Sequence, residues 1–240
     1  MNSKKYLLLA ALSFISVTFA QETKGFETDL NAGFTLTRGN SETSRLTLGA
    51  ASKRIKEKHE FLLSASYDYG QTTTSNADGI ETETTNMDRA KAEAQSNWLF
   101  SEKTYSFFNL TLEKDEITKI DYRVTTGPGL GYYFLRNDMY LLSTESSLVY
   151  VIEELQQESD EYAAFRFAQK FERTFDNGAR IWQSLELVAN LSESEDYTLY
   201  SELGAKASLT GALSLRVVLQ NKYNNDPEPD VENNDLNILS

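Results

Sequence analysis

The chain of 240 residues contains no cysteine, three prolines and one histidine. Absence of cysteine excludes disulfides, thiolate chemistry and Cys-ligated metal, and it removes the residue that would carry a lipid anchor behind an export signal. Ser-His-Asp hydrolysis has only His59 as a base, and that residue sits in a polar turn between Lys58 and Glu60, where a solvated role fits best. Glycine-rich phosphate cradles are missing too. Positive charge is in short supply: 23 Lys and Arg against 36 Asp and Glu leave a formal charge of −13, which disfavours nucleic acid as a partner. Beyond the first 20 residues no run is apolar over the ~20 positions a spanning helix needs, so any membrane crossing must be made by strands.

What is present begins with an export signal. Lys4 and Lys5 precede an apolar run from Tyr6 to Val17, and Thr18-Phe19-Ala20 supplies small residues at a cleavage point. Residues 1–20 are therefore expected to be a signal peptide cleaved after Ala20, and residues 21–240 one barrel domain. A mean hydropathy of −0.46 does not oppose this, because a barrel hides its apolar residues on alternate positions.

That alternation dominates the rest of the chain. From Phe26 to Thr37 apolar residues fall largely on even positions and polar ones on odd, which gives a strand one apolar and one polar face. The pattern recurs over 44–55, 60–71, 86–100, 104–116, 121–135, 139–153, 161–175, 179–191, 197–209 and 213–223, and a further strand opens at 235. These spans exceed the ~5–6 residues usual in globular strands and match the ~9–11 needed for a tilted crossing. The expected fold is an all-β, antiparallel up-and-down transmembrane β-barrel of about 12 strands, the last incomplete, with only about six residues after Asn234.

Short connections such as Lys56-Glu57-Lys58-His59, Arg136-Asn137-Asp138, Asp176-Asn177-Gly178 and Thr210-Gly211-Ala212 alternate with longer polar ones at 72–85, 154–160 and 224–234. Barrels of this kind have short periplasmic turns and longer outer loops, which places both termini in the periplasm. Aromatic residues gather at strand ends, with Trp98, Phe100, Tyr105, Phe107, Tyr132, Phe134 and Trp182 beside the short turns and Tyr67, Tyr150 and Tyr223 toward the long connections. Two such belts are expected at the two headgroup levels. Gly127-Pro128-Gly129 lies inside a strand pattern and marks a bend or a close backbone approach.

Face assignment separates lipid from lumen. Leu30, Phe34, Leu36, Phe61, Leu63, Phe108, Leu110, Leu130, Leu148, Phe165, Leu185, Leu203 and Val217 fall on the outward faces. The opposite faces carry the candidate lumen-lining residues Arg45, Arg89, Lys91, Glu93, Arg123, Glu145, Arg166, Lys170, Glu186, Glu202, Lys206 and Arg216, together with Glu27, Asp29 and Lys53. A mixed-sign lumen is either a polar conduit or a set of paired charges that fills the barrel. Glu153, Glu154, Glu158, Asp160 and Glu161, then Glu193, Glu195 and Asp196, then Asp226, Glu228, Asp230, Glu232 and Asp235 form acidic connections. Their spacing is not that of an EF-hand, so they are read as solvated loops, and no cofactor or metal is expected.

The stretch Gly33-Phe34-Thr35-Leu36-Thr37-Arg38-Gly39-Asn40-Ser41-Glu42-Thr43 resembles the opening hairpin of the YdiY-like proteins, domain of unknown function family 481. Asp121-Tyr122-Arg123-Val124 with Gly127-Pro128-Gly129-Leu130-Gly131-Tyr132, and Tyr223-Asn224-Asn225-Asp226-Pro227 before Asn234-Asp235, are similar to later parts of that family. The resemblance implies a salt-induced outer-membrane protein with no assigned substrate or catalytic residue.

Together these readings lead to a non-enzymatic, stress-associated envelope barrel in the outer membrane. It is expected to pass small ions or solutes through a narrow mixed-charge lumen; the alternative is a non-conducting structural barrel whose outer loops contact lipopolysaccharide or a partner. Expected partners are outer-membrane lipid, lipopolysaccharide and the barrel-assembly machinery.

Overall fold

The computed structural model describes residues 25–37, 41–75, 81–156, 158–208, 214–227 and 231–239. The signal segment 1–20, Gly39-Asn40 of the first hairpin and the Thr210-Gly211-Ala212 turn lie outside the described residues.

Twelve strands follow one another along the chain: β1 (Phe26–Thr37), β2 (Ser41–Lys56), β3 (His59–Ser75), β4 (Glu81–Leu99), β5 (Thr104–Asp115), β6 (Ile120–Arg136), β7 (Tyr140–Leu155), β8 (Glu158–Thr174), β9 (Arg180–Asn190), β10 (Tyr197–Ser208), β11 (Ser214–Asn224) and β12 (Asn234–Leu239). They form one sheet in chain order, each strand antiparallel to its neighbours. The sheet curls into a nearly closed barrel. Lys206 of β10 comes within 3.9 Å of Asp29 on β1, and the Arg45 guanidinium of β2 donates to the Ile238 carbonyl of β12 at 2.7 Å. Among the described residues β1 and β12 share no ladder, and β12 pairs only with Val218–Tyr223 of β11.

The alternation in the sequence becomes the two sides of this wall. Leu130, Leu148, Leu203 and Phe34 are 64, 62, 57 and 53% exposed on the outside, and the apolar surface continues around the barrel through Leu110, Leu112, Leu185, Leu215 and Val217. An apolar belt of that extent is foreign to a water-facing surface and matches the hydrocarbon-facing band of a membrane barrel. The inner face is polar and ordered.

Two expectations are corrected. Glu153 to Glu161 do not form a long loop. The ladder runs on through Glu153↔Asp160, Glu154↔Ser159 and Leu155↔Glu158, so β7 and β8 make one extended hairpin. Thr72–Ser75 likewise pair with Glu81–Thr84. Such stretches read as loops because both faces are wet beyond the bilayer and the alternation fades, although the backbone ladder continues. A strand of 17 residues such as β3 rises roughly 56 Å, far more than a ~25 Å apolar band requires even at ~40° tilt.

The second correction concerns the aromatic belt beside the short turns, hereafter the turn end. Trp98, Phe100, Tyr132 and Phe134 face outward there, but Tyr105 and Phe107 are only 2 and 1% exposed and lie inside the barrel. Odd positions of β5 point inward, so closeness to a strand end does not place a ring in lipid. Their rings rest against glycines directly opposite in the ladder, Tyr105 on Gly131 and Phe107 on Gly129, and Trp182 lies in the same way on Gly204. A Cβ at Gly131 would come within 2.1 Å of the Tyr105 ring. Gly127 serves a different need, because a Cβ there would meet the Leu148 carbonyl at 2.2 Å, the close backbone approach expected of Gly127-Pro128-Gly129.

Replacing Leu110, midway along β5, with arginine should lower the folding free energy by about 2–4 kcal/mol in a denaturant titration into lipid. An unchanged titration would contradict its hydrocarbon-facing position.

Candidate functional site: a charge-paired lumen

The inward faces of β3 to β11 bring together nearly all of the barrel's buried charge. In a ring of twelve strands β5 and β11 are diametrically opposed, six places apart in the order. Across that diameter the Lys222 ammonium of β11 meets Glu113 of β5 at 3.0 Å and Asp115 at 4.0 Å, with side chains only 7, 5 and 3% exposed. Tyr200 of β10 donates its hydroxyl to the other oxygen of Glu113 at 3.3 Å, and its ring lies between the ammonium groups of Lys91 and Lys222, 5.5 and 5.7 Å from its centroid. The walls of β4 and β5 therefore touch those of β10 and β11 through side chains.

Arg89 on β4 extends this contact. It pairs with Asp68 of β3 at 3.1 Å and donates to Gln220 of β11 at 2.8 Å. Gln220 in turn donates to Glu202 at 2.7 Å, and Glu202 also accepts the Trp182 indole N–H at 2.5 Å. Arg216 lies over the Trp182 ring, 5.3 Å from its centroid. A continuous polar chain thus runs from β3 through β4 and β11 to β9.

Nearer the turn end a second network crosses the lumen. Glu60 of β3 is 1% exposed and accepts from Tyr133 of β6 at 2.8 Å and Asn97 of β4 at 3.1 Å, and it is ion-paired with Arg136. Glu145 of β7 accepts from Tyr105 and Gln95, each at 2.8 Å, and from Arg166 at 3.2 Å, while Arg166 also holds Glu186 at 2.5 Å. Gln95 links the halves by donating to Asn97 at 3.0 Å. Stacked Tyr105 and Tyr133 rings, with centroids 4.8 Å apart, form the apolar part of this floor. Hydrogen-bonding every charge is what permits burial, since an unpaired ion in such a place costs several kcal/mol.

Of the lumen residues read from sequence, Arg89, Glu145, Arg166, Glu186 and Glu202 lie in these networks. Arg123 pairs with Glu153 of β7. Lys91 pairs with Glu93 at 2.7 Å, and Lys206 reaches Asp29. Arg45 of β2 donates to the Ile238 carbonyl of β12 near the unpaired β1 and β12 edges, and Lys170 lies 3.7 Å from Glu172 near the turn end, half exposed. Sequence reading missed Glu60, Asp68, Glu113, Asp115 and Lys222. Their parity within their strands was the available signal; Glu113, for example, shares the odd-numbered face of β5 with Tyr105 and Asn109. His59 stands on the outer wall with its ring edge-on to Trp98 at 6.4 Å.

Between the Glu113 and Glu145 networks lies a small recess whose lining is shared with them: Lys91, Glu113, Arg123, Tyr162, Arg166 and Tyr200. One wall of it is apolar, built by Val151 and Val188 with Tyr162. Among the described residues no group of His, Cys, Asp and Glu has the arrangement of a metal site.

Fold and lining define a β-barrel of the membrane-spanning class whose interior is packed with paired charges. The chain belongs to the family described as Protein of unknown function, DUF481, which matches residues 30–239. Curated proteins give no match. Among solved structures, a Pseudomonas aeruginosa FadL homologue is similar at 8% identity and a TM-score of 0.36, over 85% of this chain and 68% of the other. A bacterial polysaccharide outer membrane secretin is similar at 10% identity and a TM-score of 0.39, over 94 and 93% of the two chains.

Replacing Lys222 with methionine strands Glu113 and Asp115 and should cost about 3–5 kcal/mol of stability, whereas adding Glu113→Gln should recover part of that loss. Additive effects in this cycle, measured by denaturant titration in lipid, would mean that the cross-lumen pair does not form.

Proposed function

We propose that the protein is a non-enzymatic outer-membrane barrel that serves the envelope as a closed, lipid-embedded element and not as a free diffusion pore. The observation that carries this reading is the contact of Lys222 with Glu113 across the full barrel diameter. An ion following the axis would have to part this pair and then the Glu60 and Glu145 networks, each held by several charge-assisted bonds. Eight-stranded barrels are filled by side chains and sixteen-stranded ones are open, so a twelve-stranded barrel with this lining falls on the filled side.

The turn end is assigned to the periplasm and the acidic, extended hairpins to the outside, where lipopolysaccharide is the neighbouring surface. The family resemblance adds a stress-associated role, and a closed barrel suits one because it adds wall without adding leak. A gated conduit for small ions or solutes is the second reading. The recess lined by Glu113, Arg123 and Arg166 favours it as a polar chamber along such a path.

Planar bilayers decide between them. The purified barrel is expected to insert without unitary current steps at any salt concentration. Steady steps, with selectivity that moves toward cations once Arg89, Arg166 and Arg216 are neutralised, would overturn the closed reading and establish the conduit.

A further inference from the structure

The outer wall carries cations where a hydrocarbon-facing surface should carry none. Arg54 at the end of β2 and Arg173 at the end of β8 both lie on outward faces and are exposed. Each is placed over outward rings. The Arg54 guanidinium carbon is 5.1 Å from the centroid of Phe26, its direct ladder partner, and that of Arg173 is 4.4 Å from Phe175 and 5.4 Å from Tyr140, again its ladder partner.

Neither has a carboxylate beside it. Among the described residues no Asp or Glu pairs with Arg54 or Arg173, although inward cations such as Arg89, Arg123, Arg166 and Lys222 are all paired. The imbalance extends around the wall. The outward positions of the turn-end half are occupied by residues such as Ser52, Phe61, Ser96, Trp98, Phe108, Tyr132, Phe171 and Leu215, and none of the described ones is a carboxylate. At the opposite end the outward Lys114 does have a partner, Glu116 at 2.6 Å. Two guanidinium groups held over an aromatic belt at headgroup depth thus lack a carboxylate partner among the described residues.

We propose that Arg54 and Arg173 are binding sites for the phosphodiester of glycerophospholipids in the leaflet that surrounds the turn end, the aromatic ring below each guanidinium holding its fork toward the headgroup. A planar guanidinium presents paired N–H donors that match two phosphate oxygens, and stacking on a ring leaves those edge donors free. Phospholipid is chosen over the phosphates of lipid A because this inference rests on the turn end facing the periplasm, where the leaflet is phospholipid.

Native mass spectrometry of the refolded barrel with defined lipids tests this. Phosphatidylglycerol should be retained at up to two tight sites, and Arg54→Gln with Arg173→Gln should weaken retention at least about tenfold, with Arg54→Lys and Arg173→Lys recovering only part. A galactosyl diacylglycerol, which has no phosphate, should bind weakly and equally to all variants. Heat-modifiable migration of each variant reports that it remains a folded barrel. Retention of phosphatidylglycerol that is unchanged in the double glutamine variant would overturn the site. Arginine-dependent retention of lipid A in preference to phosphatidylglycerol would overturn the phospholipid assignment and the orientation with it. Bilayer current bears on neither, so failure of the closed-barrel reading stays distinguishable from both.

Discussion

A lysine and a glutamate that meet across the full width of a twelve-stranded barrel fix how far apart its walls can stand. Lys222 and Glu113 are 3.0 Å apart and almost wholly buried, so each neutralises a charge that the other could not afford to leave alone. Once this pair is made, β4 and β5 lie against β10 and β11, and Arg89 and Tyr200 fall within reach of Gln220 and Glu113. The lumen then closes as a set of interlocked hydrogen bonds. Charge pairing here does the work that apolar packing does inside a water-soluble domain.

Small residues make that closure sterically possible. Aromatic rings on the inner face would collide with ordinary side chains across the ladder, and Gly131, Gly129 and Gly204 remove the obstacle opposite Tyr105, Phe107 and Trp182. The rings lie flat on the wall, and the Tyr105 hydroxyl and the Trp182 indole remain aimed at Glu145 and Glu202. Function and fold are therefore joined at the same residues, because the groups that shape the inner wall also occupy the route an ion would take.

Much of this was legible in the alternating pattern. It placed the strands close to their observed limits, from Phe26–Thr37 exactly as far as the first hairpin to β12 opening beside residue 235, and it sorted Leu110, Leu148 and Leu203 outward from Arg89, Arg166 and Glu202. Parity is a local property and stays readable inside one strand. Contacts between β5 and β11, or between β3 and β6, depend on barrel shape and on residues far apart in the chain, and no single strand records them. Where the surroundings are wet on both sides the pattern itself disappears, which is why the paired segment Glu153–Asp160 resembled a loop. Tyr105 misled for the converse reason: its position near a strand end was informative about depth, but its parity decided its side.

The central claim is that paired charges interrupt the lumen, so that no continuous aqueous path runs from the hairpin end to the turn end. Because the chain has no native cysteine, single cysteines can be placed at Val188, a half-buried residue that lines the recess, and at Ser143, a buried inward residue of β7 near the turn end. Val188→Cys should react with a charged, membrane-impermeant thiol reagent added on the hairpin side of proteoliposomes, while Ser143→Cys should remain protected from that side until the Glu60 and Glu145 networks are removed by substitution. Equal labelling of the two cysteines in the intact barrel would show a continuous aqueous path and contradict the account.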